Sequence, residues 1–191
     1  MKHKVLLVDE DSLKTGMITD SITEAGFEVV GRVSCEDDIL SGIKICKPDV
    51  LVIDMESPDD YIFNQLVEIN KISPRPIVFF AEKGESKVIK KAVKSGVSAF
   101  IVDGLTARRI KPVIELAIER FIEMQSLYKK LAESKESLEE RKIIERAKGI
   151  LMSRKNVNED EAYSSLRKLA MGQNKKLVDV AKNVIQMSEL F

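Results

Sequence analysis

Three apolar runs in this 191-residue chain end in aspartate: "VLLVDED" at 5–11, "VLVIDME" at 50–56 and "AFIVDG" at 99–104. Acidic residues that close buried runs in this way can meet in one place, so Asp9, Glu10, Asp54 and Asp103 are the first candidates for chemistry. Two adjacent carboxylates after one strand and a third after a neighbour supply hard oxygen donors for Mg²⁺, which needs few carboxylates and keeps water in its shell. Beside such an ion Asp54 can attack a phosphoryl donor as a nucleophile, as carboxylates do in aspartyl-phosphate chemistry. Other chemistries are poorly supplied. His3, the only histidine, lies at the start of the chain, so neither histidine metal binding nor a Ser-His arrangement is expected. Cys35 and Cys46 have neither C-x-x-C spacing nor a nearby histidine, so they support neither a zinc site nor a disulfide framework. The "VGRV" around Gly31 is not a glycine-rich phosphate loop.

Strands must position these acids. From 4 to 103, β-branched runs alternate with amphipathic stretches: "VLLV" (5–8), "EVVGRV" (28–33), "DVLVI" (49–53), "PIVFF" (76–80) and "AFIV" (99–102). Apolar runs without period-2 alternation fit strands covered on both faces, as in parallel sheets. The expectation is a doubly wound α/β domain with five parallel strands in the flavodoxin-like order 2-1-3-4-5. Its ligand site would lie at the carboxyl ends of the first and third strands, where Asp9, Glu10 and Asp54 stand.

After 105 the pattern becomes helical. Ile114, Ala117, Phe121, Met124, Tyr128, Leu131 and Leu138 fall on a/d positions of one heptad frame, broken by Lys135 at an a position. Such a seam pairs with another helix, and a polar a residue lowers stability while setting register. A parallel homodimer is expected; the alternative is a long helix packed on the α/β domain of its own chain. Beyond 140, Ile143 or Ile144, Ala147, Ile150 and Leu151 leave that frame and open a new packing face. Asn158 with Glu161 reads as a capping box for a helix through Met171, Gly172 as its C-terminal cap, and Asn174 as the N-cap of a last helix. Three helices sharing a core are implied.

Composition is that of a globular protein, 44% apolar and 32% charged. The net charge of zero conceals an uneven distribution: residues 1–112 hold 16 basic and 18 acidic side chains, residues 141–191 hold 11 and 6. The C-terminal end is therefore the polyanion-binding candidate, through Lys148, Arg154, Lys155, Arg167, Lys168, Lys175 and Lys176. Tyr163 and Phe191 are its only aromatic residues, which disfavours recognition by base stacking. Gly149, inside a helix, suggests close approach of another helix or of a nucleic-acid backbone. No run approaches the ~18 apolar residues of a membrane span, and no signal-peptide core opens the chain. A reduced cytoplasm and no membrane partner are expected.

Asp54 and Pro58 in "D-x-x-x-P", with Asp9 and Glu10 upstream, resemble the receiver domain of bacterial response regulators over residues 1–112. The resemblance implies Asp54 as phosphoacceptor, and Asp9, Glu10, Asp54 and the backbone carbonyl of Glu56 as Mg²⁺ ligands. An active receiver also carries Ser or Thr at the end of the fourth strand and Lys-Pro at the end of the fifth. Here the matching residues are Ala81, Asp103 and Gly104. A phosphoryl group with nearly two negative charges would lose its cation and face a carboxylate instead. At ~4 Å and an effective dielectric of ~20 one unit charge is worth about 4 kcal/mol, so the reversal is large. Asp103 thus reads as the mark of a degenerate switch. Two inputs remain open: phosphorylation of Asp54 with a rewired readout, or a pseudo-receiver signalled by a partner protein.

"ERAKGILM" (145–152), then "A-x3-LRKLA" (162–170), then "L-x-DVA-x2-VI" (177–185) resemble the ANTAR domain of antitermination regulators, and "VDGL" (102–105) is similar to receivers found with that output. The resemblance implies a transcription antiterminator, not an enzyme, that binds hairpin-containing leader RNA as a dimer, with Lys148, Gly149, Arg154, Arg167, Lys168, Lys175 and Lys176 at the RNA. A histidine kinase or a sequestering sensor protein would act upstream. The expected layout is a receiver at 1–112, a coiled-coil dimerisation helix at 113–140 and a three-helix RNA-binding domain at 141–191. A DNA-binding helix-turn-helix output is the alternative reading of the last two helices.

Overall fold

The computed structural model describes residues 2–10, 15–102 and 107–189. The chain divides into two compact units, Met1–Gln125 and Ser126–Phe191.

In the first unit five parallel strands, β1 (Lys4–Asp9), β2 (Glu28–Ser34), β3 (Val50–Met55), β4 (Ile77–Ala81) and β5 (Ala99–Val102), form one sheet in the order β2-β1-β3-β4-β5. The connections are α1 (Thr15–Glu24), α2 (Ile39–Cys46), α3 (Asp60–Ile72) and α4 (Ser86–Lys94). The apolar runs lack alternation because both faces are covered. Leu6, Val8, Leu51, Ile53, Ile77 and Phe79 pack with Ile39, Ile43, Ile62, Leu66 and Ala92 on the face of α2, α3 and α4. Val5, Leu7, Val50, Val52, Val78 and Phe80 pack on the other face with Ile18 and Ile22 of α1 and with Ile110, Ile114 and Ala117 of α5 (Ala107–Lys155). Each side chain removed from water in this way contributes about 1.5–3 kcal/mol. Asp59 caps α3 by accepting from the Ile62 N–H at 3.0 Å, which sets the chain direction just after the acidic end of β3.

Two expectations change here. Ile114, assigned to a dimer seam, is 0% exposed in the core of the α/β unit, as is Ala117. The heptad frame found an apolar stripe; the sheet, not a second helix, covers its beginning. The α/β core also draws on Val113 and Ile118, beyond the boundary expected at 112.

One irregularity bears on the site. Along β2 the register with β1 runs Val5 to Val29, then Leu6 to Gly31, so β2 holds one extra residue at Val30. A bulge of this kind reverses the facing of every residue after it. Arg32 consequently pairs with Leu7 and lies on the α1 and α5 side of the sheet.

In the second unit the last turns of α5 pack with α6 (Glu159–Gln173) and α7 (Leu177–Glu189). Ala147, Leu166, Ala170, Val180 and Ala181 form its core, flanked by Ile143, Ile144, Leu151, Leu177, Val184 and Ile185. The capping box is present: Asn158 accepts from Glu161 N–H at 2.9 Å, and Glu161 Oε2 accepts from Asn158 N–H at 3.2 Å. The end of α6 differs from expectation. Gly172 lies inside the helix and Asn174 is the C-cap, with φ 51° in the left-handed region that asparagine tolerates.

Candidate functional site

Strand register sets the acids side by side. In the parallel pairings Asp9 stands opposite Asp54 and Met55 opposite Ala81. Asp9 is 2% exposed, Asp54 half-buried, and Glu10 and Glu56 are on the surface. Glu10 Oε2 accepts the Glu56 N–H at 3.1 Å, which ties the exits of β1 and β3 together. Ala81 is buried at the end of β4, and its methyl offers no hydroxyl to a ligand. Asp103 and Gly104 lie outside the described residues.

Arg32 joins this group, although its sequence context did not single it out. Its Nε donates to Asp9 Oδ1 at 2.8 Å. The available signal was Gly31, since a glycine within a strand often marks a bulge. Nearby, burial and then Glu10 push the Cys35 thiol up from its usual pKa, so it stays protonated and adds no thiolate donor.

Asp9, Glu10 and Asp54 have the right donor chemistry for Mg²⁺, and two of them are engaged within the chain. Asp9 is turned to Arg32 and Glu10 to the Glu56 amide. Among the described residues no three His, Cys, Asp or Glu side chains converge closely enough to hold an ion.

The basic residues of the second unit separate into two groups. Arg167 and Lys168 on α6, and Lys175 and Lys176 at the turn into α7, are exposed. Arg154 is exposed too, with its guanidinium donating to the Ser188 carbonyl at 2.8 Å. Lys148 must leave the list of phosphate contacts. Its side chain is 8% exposed, and its ammonium lies 2.6 Å from Glu159 Oε1 and 2.9 Å from Glu145 Oε1. Those carboxylates, Glu159 first, push its pKa up, and Lys148 in turn holds Glu159 below the usual carboxylate range. With two carboxylates around one ammonium the cluster carries no net positive charge to offer a polyanion; Lys148 joins α5 to α6 instead. Gly149 is also corrected in part. It is exposed, and a Cβ built there would meet nothing within 4 Å among the described residues, so none of them packs against it.

Along the middle of α5 the expected seam lies open. Phe121 is half-buried, while Met124, Tyr128, Leu131 and Leu138 are 49%, 60%, 52% and 56% exposed.

Comparison with known proteins agrees with this division. The ANTAR domain model matches residues 132–185. Transcriptional regulatory protein PdtaR of Mycobacterium tuberculosis is 27% identical over 184 residues, covering 96% of this chain and 90% of the relative. Chemotaxis protein CheY of Thermotoga maritima is 31% identical over 111 residues, 58% of this chain and 92% of the relative. The CheY-like response regulator receiver domain protein of Methanospirillum hungatei shares the fold, with a TM-score of 0.56 at 16% identity over 65% of this chain and 99% of that one. Homology of the N-terminal receiver to CheY and the ANTAR match at 132–185 place this chain in the response-regulator family, as a member with a C-terminal ANTAR domain.

Proposed function

We propose that the protein is a transcription antiterminator that binds hairpin-containing leader RNA as a homodimer in the cytoplasm, under control of its receiver. The observation that carries this reading is the ANTAR match over a unit whose exposed Arg167, Lys168, Lys175 and Lys176 present cations to solvent. RNA binding is the property of ANTAR response regulators as a group, and neither domain belongs to a family of metabolic enzymes. Among the described residues no helix is long and apolar enough to cross a membrane. The dimer would form through Phe121, Met124, Tyr128, Leu131 and Leu138, with Lys135 setting register. Receivers of the CheY type generally use Mg²⁺ for phosphorylation and work with histidine kinases. In this chain Asp54 is the phosphoacceptor candidate. A sequestering sensor protein is the partner that suits a receiver with Ala81 and Asp103 at the switch positions.

The test compares hairpin-rich leader RNA with duplex DNA of matched length at about 150 mM salt, where generic attraction to basic surfaces is weak. RNA preference that survives salt supports the reading. Lys175→Ala, Lys176→Ala and Arg167→Ala should each weaken RNA binding and lower the salt slope by about 0.7–1 per lost phosphate contact. DNA preference would reassign α6 and α7, joined by the turn at 174–176, to a helix-turn-helix. Adding a small phosphodonor to the wild type and to Asp54→Ala separates the two inputs: stable labelling of the wild type alone would sink the pseudo-receiver.

A further inference from the structure

We infer that Arg32 is a built-in counter-charge for the receiver's acidic site, and that a divalent cation can enter only by displacing it. Asp9 is 2% exposed, and a carboxylate so far from water is costly unless a cation or several donors face it. Arg32 supplies that cation from the neighbouring strand, with Nε 2.8 Å from Oδ1. Its own side chain is 39% exposed, so the guanidinium that faces this buried carboxylate keeps contact with solvent.

The backbone is arranged for this contact. Without the extra residue at Val30, Arg32 would share the face of Leu6 and Val8 and point away from Asp9. The bulge puts Gly31 opposite Leu6 instead, where a Cβ would meet Cys46 Sγ at 2.5 Å and Leu6 Cδ1 at 3.1 Å, so a larger residue would have to displace those side chains. Gly31 and Arg32 therefore act as a pair, the first allowing the bulge against α2 and the second using it.

One consequence follows for a divalent ion. One of its donors, Asp9, is already hydrogen-bonded to a cation, and that cation repels the incoming charge. This inference concerns the input unit and stands whether or not the output binds RNA.

The experiment is titration of the full-length protein with Mg²⁺ by calorimetry, and with Mn²⁺ by electron paramagnetic resonance, for the wild type and Arg32→Gln at matched ionic strength. Arg32→Gln should bind either ion at least about tenfold more tightly, since removal of one adjacent, partly solvated charge is worth that much. Its melting temperature should also rise more steeply with added Mg²⁺ than that of the wild type. Equal affinities, or no binding by either protein, would overturn the inference. A second measurement needs no variant. In the wild type the hydrogen-bonded Arg32 Nε–H resonance should shift during Mg²⁺ titration along the same saturation curve as binding and stay still in Na⁺. Binding with that resonance unmoved would also overturn it.

Discussion

The ends of α5 and its middle carry similar apolar stripes and meet different fates. At one end Ile110, Ile114 and Ala117 are 0% exposed in the receiver core, and near the other Ala147 is 0% exposed in the three-helix core. Between them Met124, Leu127, Tyr128, Leu131 and Leu138 stand about half exposed. The heptad frame continues from Ile114 to Leu138 with no change that marks where one environment stops. Periodicity thus reports which side of a helix is apolar, and says nothing about whether a sheet, a helix of the same chain or a second copy covers it.

The largest expected effect tests the buried end. Ile114→Ala should destabilise the receiver by about 2–5 kcal/mol, because it empties a fully packed position. Hydrogen exchange of β1 and β3 amides reads this directly, and protection unchanged from wild type would mean that α5 does not complete the core. Leu131→Glu examines the open middle. It should leave that protection intact while weakening self-association at least about tenfold, or ~1.4 kcal/mol, in sedimentation equilibrium. If the variant and wild type sediment alike, the exposed stripe is not a dimer seam. The smallest effect belongs to the far end, where Lys148 holds Glu145 and Glu159. Glu159 is depressed, so its contribution is present above the ordinary carboxylate pKa of about 4.3 and is lost as pH falls through its lower folded value. Lys148 is raised, so its contribution is complete below the ordinary lysine pKa of about 10.4 and is lost as pH climbs through its higher folded value. Melting of the three-helix unit should therefore be flat near neutrality and decline in acid, with a smaller acid decline in Glu159→Gln. Identical acid profiles would show that the pair does not support the unit.

The sequence also read the strands well, for a physical reason. Val5–Val8, Val50–Ile53 and Ile77–Phe80 are buried on both faces, so their signal is a plain apolar run that needs no partner to interpret. The capping box of Asn158 and Glu161 was equally visible because it is closed within four residues. Asp9 beside Asp54 followed from strand order, which the α/β pattern implies. Arg32 did not, because its facing depends on a one-residue bulge against β1, and a single residue reverses the side of the sheet. Lys148 misled for a related reason: its two carboxylates lie 3 and 11 positions away, on α5 and α6, and only their convergence removes it from the basic surface. The C-cap expected at Gly172 fell to Asn174, expected as the N-cap of the last helix, because either residue can adopt the left-handed turn that ends a helix.

By itself the sequence determined the parallel sheet, the acids at its carboxyl edge and the three helices of the second unit. These are properties of residue type, periodicity and order along the chain. Tertiary structure decided which charges are paired and which apolar faces are covered. Asp9 received Arg32, Lys148 received Glu145 and Glu159, and Ile114 received the sheet, because pairing and burial depend on groups that meet only after the backbone has chosen its register.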